Sequence, residues 1–234
     1  MNFKSKLLKG LFIRRYKRFF ADVQLENGIV TAHCPNTGSM KGLLNENDTV
    51  WLSETNNPDR KLKYTWELVK DKKTKSLVGI NTQLPNKLVY DSLLNNKIEE
   101  FSIYESIRKE VRYGNKSRID FLLESKKVNP CYLEVKNVHY SDGDGLAKFP
   151  DAITSRGLKH LHELMEVANS GYRAVMLYVV QRSDCNKFAI ADDIDPEYYK
   201  GFNEALKNGV EVLCFSCKIS TTSILIGDRI EIQN

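Results

Sequence analysis

The stretch RIDFLLESKKVNPCYLEVKNV, Arg118 to Val138, sets the fold class of the chain's second half. It opens on an apolar run, Arg118–Leu123, interrupted by a single acid, Asp120. It closes on Cys131–Val138, where Leu133 and Val135 alternate with Glu134 and Lys136. Side chains alternate faces along a strand, so Glu134 and Lys136 share one face and the two aliphatic residues share the other. Glu124 to Pro130 connects the two runs, so the strands are near neighbours. An ionised carboxylate in an apolar strand is costly unless a cation or a metal accompanies it. Asp120 and Glu134, with Lys136 beside them, suit a hard divalent ion, Mg2+ or Mn2+, which takes oxygen ligands and keeps several waters. A water activated there and positioned by Lys136 could attack a phosphodiester. The spacing alone leaves a second reading open, a structural salt bridge.

Around this stretch the pattern is that of an α/β (α+β) sandwich. Leu88–Asn96 reads as a helix and Ser106–Tyr113 as a strand. Between Pro150 and Asn169, Leu158, Leu161, Met165 and Ala168 recur at helical spacing, and Ala174–Val180 is an apolar strand. Asp195-Pro196 offers an N-cap and a first-turn proline, Tyr199, Phe202 and Leu206 line one helical face, and Gly209 ends that helix before a strand at Val210–Ile219. Upstream of Pro85 the pattern changes to short strands and turns. Phe19–Leu25 and Ile29–Ala32 flank Glu26-Asn27-Gly28, a hairpin signal, and Thr49–Leu52, Tyr64–Val69 and Leu77–Asn81 follow. About five short strands in about 70 residues suit a small barrel of the OB type, a common holder of nucleic acid. The division expected is residues 1–84 for the barrel and 85–234 for the sandwich.

The chain has 234 residues and a net charge of +5, yet residues 1–20 alone hold seven basic side chains and no acid. Such a segment attracts polyanions, since each neutralised phosphate releases condensed counterions. Arg14, Arg15, Tyr16, Lys17 and Arg18 are the candidate contacts, with Phe12, Phe19 and Phe20 interleaved as possible stacking platforms or as an inner barrel face. A solvated cationic face and an anionic membrane surface are the other readings of the same segment. No run approaches the roughly 18 apolar residues that span a membrane. Five scattered cysteines without a secretory signal point to a reducing compartment, the cytoplasm. Cys214 and Cys217 form a CxxC inside an apolar strand, where packing is the expected role.

At the level of whole motifs the chain resembles the sugar fermentation stimulation protein A family of bacteria and archaea. The segments that carry the likeness are Phe12-Ile13-Arg14-Arg15-Tyr16-Lys17-Arg18-Phe19, His33-Cys34-Pro35-Asn36-Thr37-Gly38-Ser39-Met40 and Asn81-Thr82-x-x-Pro85-Asn86. They continue with Ser117-Arg118-Ile119-Asp120-Phe121-Leu122, Glu134-Val135-Lys136-Asn137-Val138, Phe149-Pro150-Asp151-Ala152 and Arg156-Gly157-Leu158-Lys159-His160-Leu161. The resemblance implies an N-terminal OB-like barrel followed by a PD-(D/E)xK restriction-endonuclease-like sandwich that binds DNA. By position, Asp120 and Glu134 match the metal-binding acids and Lys136 the catalytic lysine. Ile119 stands where the superfamily's name has proline. A further acid from the preceding helix often assists in that superfamily, and Asp91, Glu99 and Glu100 are the candidates. Arg156 and His160, four apart on one helical face, and Lys159 beside them could meet phosphate. The alternative is capping by Asp151 and a solvated face. Turn chemistry accounts for His33–Ser39, with its backbone amides available to a phosphate, and Asp142 and Asp144 read as a surface turn rather than a calcium loop. The expected function is a Mg2+-dependent nuclease acting on DNA or RNA largely without sequence preference. The rival is a non-catalytic, DNA-binding regulator of sugar (maltose) metabolism. No oligomeric state is assigned.

Overall fold

The structure, a computed structural model, describes residues 1–114 and 117–233. Five strands among them close a barrel: Leu8–Tyr16 (β1), Phe20–Leu25 (β2), Gly28–His33 (β3), Thr49–Glu54 (β4) and Tyr64–Lys70 (β5). β1 pairs with both β2 and β4, β4 with β5, and the ring shuts where Ala32 and His33 run parallel to Tyr64 and Thr65. A barrel closed in this way leaves no free sheet edge. Phe12 turns inward and stacks on Trp66 with ring centroids 5.0 Å apart, so this aromatic belongs to the core and not to a stacking platform. Gly10 allows β1 and β2 to approach, because a Cβ there would lie 2.5 Å from Val23 Cγ1 and 2.7 Å from the Gln24 carbonyl. Leu77–Gly79 (β6) then adds to β5.

The rest of the chain is a mixed sheet with helices on both faces. Its order is Ile224–Arg229 (β15), Glu211–Ile219 (β14), Arg173–Val180 (β12), Cys131–Val138 (β9), Ser117–Glu124 (β8) and Ser106–Tyr113 (β7). β9, β12 and β14 are parallel, and the hairpin β7–β8 joins β9 antiparallel. Ala174 to Val180 are all buried, as expected of a central strand covered on both sides. Leu84–Leu94 (α1) packs on one face with Phe121, Leu133 and Val135. Ser155–Asn169 (α2) and Pro196–Lys207 (α3) cover the other, with Leu161, Met176 and Tyr178 in that core. A second, four-stranded sheet lies on the α2–α3 side, built from Tyr140–Gly143 (β10), Leu146–Phe149 (β11), Lys187–Ile190 (β13) and Glu231–Ile232 (β16). No helix among the described residues is long and apolar enough to cross a membrane.

Several sequence expectations shift by a residue or a turn. α1 begins at Leu84, four residues before the expected start at Leu88. On α3 the buried face is Tyr198, Phe202 and Ala205, while Tyr199 and Leu206 stay partly exposed. Both sets have helical spacing with Phe202, so the pattern alone favours neither. Asp195 does cap α3, its carboxylate accepting from Tyr198 N at 3.0 Å. α2 is capped by Thr154, whose hydroxyl accepts from Gly157 N at 3.0 Å, and not by Asp151. All five cysteines are free and buried.

Asp151 instead ties the sandwich to the barrel. Its carboxylate accepts from Ser39 Oγ at 2.8 Å and from Met40 N at 3.0 Å. Gly38 N donates to Asn36 Oδ1. Of the loop amides expected to face a phosphate, those of Cys34 and Gly38 thus meet acceptors of their own chain. A second tie is Arg182, which is buried and donates to Asp71 Oδ2 in the β5–β6 turn at 2.8 Å, to Asp184 and to the His139 carbonyl.

Candidate metal centre and nucleic-acid interface

Asp120 sits where the β7–β8–β9 ladder breaks. β7 and β8 pair Lys109 with Phe121 and Val111 with Ile119, so Glu110 comes level with Asp120 without a ladder pair. β8 and β9 pair as far as Phe121 with Leu133, and one step further brings Asp120 level with Glu134. Two local features explain the break. Glu110 has a left-handed backbone, φ +53°, in mid-strand. Asp120 uses its own carboxylate as a ladder acceptor, taking Val135 N–H on Oδ2 at 2.8 Å, while Oδ1 takes Asn86 Nδ2 from α1 at 2.7 Å. The faces turn over at this row: Lys109 lies over Tyr90 on the α1 side, whereas Val111 packs into the α2-side core.

Glu134 is almost fully buried, at 2% exposure. Its Oε1 accepts from Lys136 Nζ at 2.7 Å and is hydrogen-bonded by His160 Nδ1. Arg156 Nε donates to His160 Nε2 at 3.4 Å, which makes Nε2 the acceptor and leaves the hydrogen on Nδ1. Lys136 and His160, 2.9 Å apart, therefore converge as two donors on one oxygen. The other oxygen, Oε2, has no hydrogen-bond partner among the described residues. The two acids are driven in opposite directions. Burial, then the nearby Glu134 charge, push Asp120 up to about 6, against the Val135 and Asn86 hydrogen bonds. Burial also pushes Glu134 up, but His160 and Lys136 outweigh it and hold that carboxyl below its ordinary range.

Glu110, Ser117, Arg118, Asp120, Glu134, Arg156, Lys159 and His160 line one cleft of about 410 Å3. It brings together five residues singled out from the sequence, and Lys136 touches it through Glu134. The sequence reading missed Asn86, Glu110, Ser117 and Arg118. Lys159 lies 3.5 Å from Glu163, a buried acid that also accepts from Ser117 Oγ at 2.5 Å. The helix acids considered for the site stand elsewhere. Glu100 pairs with Arg229 at 3.1 Å, Glu99 starts the short helical turn Glu99–Phe101, and Asp91 lines a depression beside Met1 and Lys218. A group of three or more His, Cys, Asp or Glu side chains drawn together to hold an ion does not occur among the described residues. The donors that Asp120 and Glu134 present are nonetheless carboxylate oxygens, one of them buried and without a partner among the described residues, which fits a hard cation that fills its other positions with water.

The basic N-terminal segment forms the β1–β2 hairpin. Its members divide by what they touch. Arg14 pairs with Asp22 at 2.8 Å, and Tyr16 donates to the same carboxylate and stacks on Phe20. Arg15 spans three carbonyls, of Arg18, Asn36 and Gly38, and so braces the loop that Asp151 holds. Lys17, Arg18 and Phe19 form the exposed tip, with Lys17 at φ +49° and Arg18 at φ +62°. From this tip, hydrogen bonds lead from Arg18 through Arg15 to Gly38 and from Ser39 to Asp151, four residues before α2, whose Arg156 and Lys159 rim the cleft.

Comparison with known proteins gives a consistent answer along the chain. Residues 83–223 match the family description "Sugar fermentation stimulation protein RE domain", and residues 13–80 match "SfsA N-terminal OB domain". A sugar fermentation stimulation protein homolog of Maricaulis maris is 49% identical over 97% of this chain and 96% of that protein. One from Geotalea daltonii is 51% identical over 97% of this chain and 96% of that protein. The structure of Pyrococcus furiosus SfsA in complex with Ca2+ superposes with a TM-score of 0.89 at 24% identity, covering 100% of this chain and 98% of that one. That likeness confirms the barrel-plus-sandwich fold.

Proposed function

Since the chain belongs to the sugar fermentation stimulation protein family, we propose that it binds DNA largely without reading sequence and hydrolyses phosphodiesters at the Asp120–Glu134 cleft with a divalent cation, Mg2+ or Mn2+. The observation that carries this reading is the buried Glu134 carboxylate at the cleft, which commits one oxygen to Lys136 and His160 and leaves the other without a partner among the described residues. A buried carboxylate oxygen without a donor is expensive. Asp120, pushed up to about 6 by burial and by Glu134, adds a second carboxylate that forms no ion pair among the described residues. The related Pyrococcus furiosus protein was solved with Ca2+, a hard divalent ion of the same ligand preference.

Asp120 and Glu134 would hold the ion. When bound, it supplies Lewis acidity to the phosphate and makes a water more acidic. The remaining chemistry belongs to the chain. Lys136, held beside Glu134, faces the attacked phosphate and stabilises charge that grows there in the transition state. His160, fixed by Arg156, keeps Glu134 Oε1 occupied so that Oε2 is the oxygen on offer. Arg118, Arg156 and Lys159 at the rim contact the flanking phosphates, and Lys17 and Arg18 extend that track along the barrel.

The test is binding and cleavage of the same DNA by purified wild type, Lys136→Ala and Glu134→Ala, with Mg2+, Mn2+ or EDTA. Wild type should cut only with a divalent ion. Lys136→Ala should lose roughly 100-fold or more in turnover while still binding DNA. Glu134→Ala should lose cutting with partial recovery at high Mg2+, and Lys136→Ala should show no such recovery. A wild type that binds DNA and leaves it intact with every ion contradicts hydrolysis and leaves DNA binding alone.

A further inference from the structure

Glu110 lines the cleft yet takes no part in holding Asp120, Glu134 or Lys136 in place. The strand registers place Glu110, Asp120 and Glu134 level with one another across β7, β8 and β9. Adjacent strands lie about 4.8 Å apart, and like charges set directly opposite each other are destabilising. The positive side chains at the cleft are engaged elsewhere: Lys136 donates to Glu134 Oε1 beside His160, Arg156 donates to His160 Nε2, and Lys159 pairs with Glu163. Arg118 lines the same cleft, and the two donors to Asp120, Asn86 and the Val135 amide, are neutral. An independent sign of a missing positive partner is Glu134, which lines the cleft and whose buried Oε2 has no donor among the described residues.

We infer that Glu110 is the third carboxylate of the divalent-cation site and holds the ion through one of its water ligands. The inference rests on the reading of Asp120 and Glu134 as the cation's direct ligands. An outer position suits the geometry, because Glu110 is exposed and the three acids do not close on a common point. The same exposure leaves its side chain free to meet a water held by an ion on Asp120 and Glu134. Mg2+ and Mn2+ keep several waters when bound by few carboxylates, so an acid one water away has a partner to accept from. Glu110 thereby takes the part that the helix acids Asp91, Glu99 and Glu100 cannot play from where they stand. The helix α1 contributes a neutral amide, Asn86, to Asp120 instead.

The experiment is calorimetric titration of the full chain with Mn2+, without DNA, for wild type, Glu110→Gln, Glu110→Asp and Asp120→Asn. Circular dichroism and thermal melts run alongside. Wild type should take one ion. Glu110→Gln should keep that stoichiometry and the wild-type melt in EDTA, and bind about 10-fold more weakly, the size of effect seen for outer groups of metal sites. Glu110→Asp, which keeps the charge, should recover most of the affinity. Asp120→Asn should lose binding. Unchanged affinity in Glu110→Gln, with binding lost in Asp120→Asn, overturns the role of Glu110 and leaves the two-acid site standing. Unchanged affinity in Asp120→Asn as well overturns both.

Discussion

Asp120 is half-buried, held by two neutral donors beside another acid, so its ionised form strains the folded chain. A carboxyl raised from 3.8 to about 6 corresponds to ~3 kcal/mol of lost stability once the group is fully ionised. Asp120→Asn should therefore stabilise the metal-free protein at pH 8 by on the order of 1–3 kcal/mol, measured by urea unfolding in EDTA, while abolishing any stabilisation by Mn2+. Destabilisation by this change would show that Asp120 is satisfied without an ion. Such a trade of stability for function is what a functional acid predicts and a structural ion pair does not.

At the level of single elements, the β1–β2 tip makes the same kind of trade. Lys17 and Arg18 both adopt positive φ, where glycine or asparagine is at home. Arg18→Gly should change stability by no more than about 1 kcal/mol, since relieved strain offsets added freedom of the unfolded chain. It should also weaken DNA binding and reduce the slope of log K against log salt by about 0.9. Arg15→Ala should do the reverse, loosening the Asn36–Gly38 loop with a smaller change of salt slope, because its guanidinium is already committed to carbonyls. An unchanged salt slope in Arg18→Gly would place the DNA elsewhere. The strands β8 and β9 were legible in the sequence because apolar alternation runs through each of them. Asp120 was legible because it interrupts an apolar run, and Glu134 because it takes a polar position beside Lys136 in an alternating strand. The α3 face was not, since Tyr198 and Tyr199 are adjacent and either fits a helical stripe with Phe202. The strands of the second sheet have two to four residues, too few for a period to register, and are held by distant partners. Asn86 reaches Asp120 across 34 positions, and Glu110 joins the row only through hairpin register. Neither relation is written in local pattern.

Across the whole molecule, the barrel and the sandwich meet through charged contacts that set how the basic tip stands relative to the cleft. Burial would raise the Asp151 carboxyl, but the His139 imidazole, with Nε2 3.3 Å from Oδ2, the Ser39 hydroxyl and the Met40 amide outweigh it and hold the group well below the ordinary carboxylate range. A depressed folded pKa contributes stability above the unfolded value and loses it as pH falls towards the folded one. Asp151→Asn should therefore cost ~2 kcal/mol at pH 7, with the gap to wild type steady down to about pH 5 and shrinking below about pH 4. A gap as large at pH 2 as at pH 5 would mean that packing, not charge, is what Asp151 supplies. On the proposed reading the joint matters because DNA that follows Lys17 and Arg18 must reach Asp120 and Glu134 in register. Everything in this arrangement turns on whether those two acids share a cation. The direct measurement is the anomalous scattering of a crystal of the protein grown with Mn2+. One peak within coordination distance of Asp120 and of Glu134 Oε2, with Lys136 and His160 still on Oε1, is the result expected. No peak in the cleft, or a Glu134 whose two oxygens are both taken by protein donors, would contradict a shared cation and return the pair to a structural salt bridge.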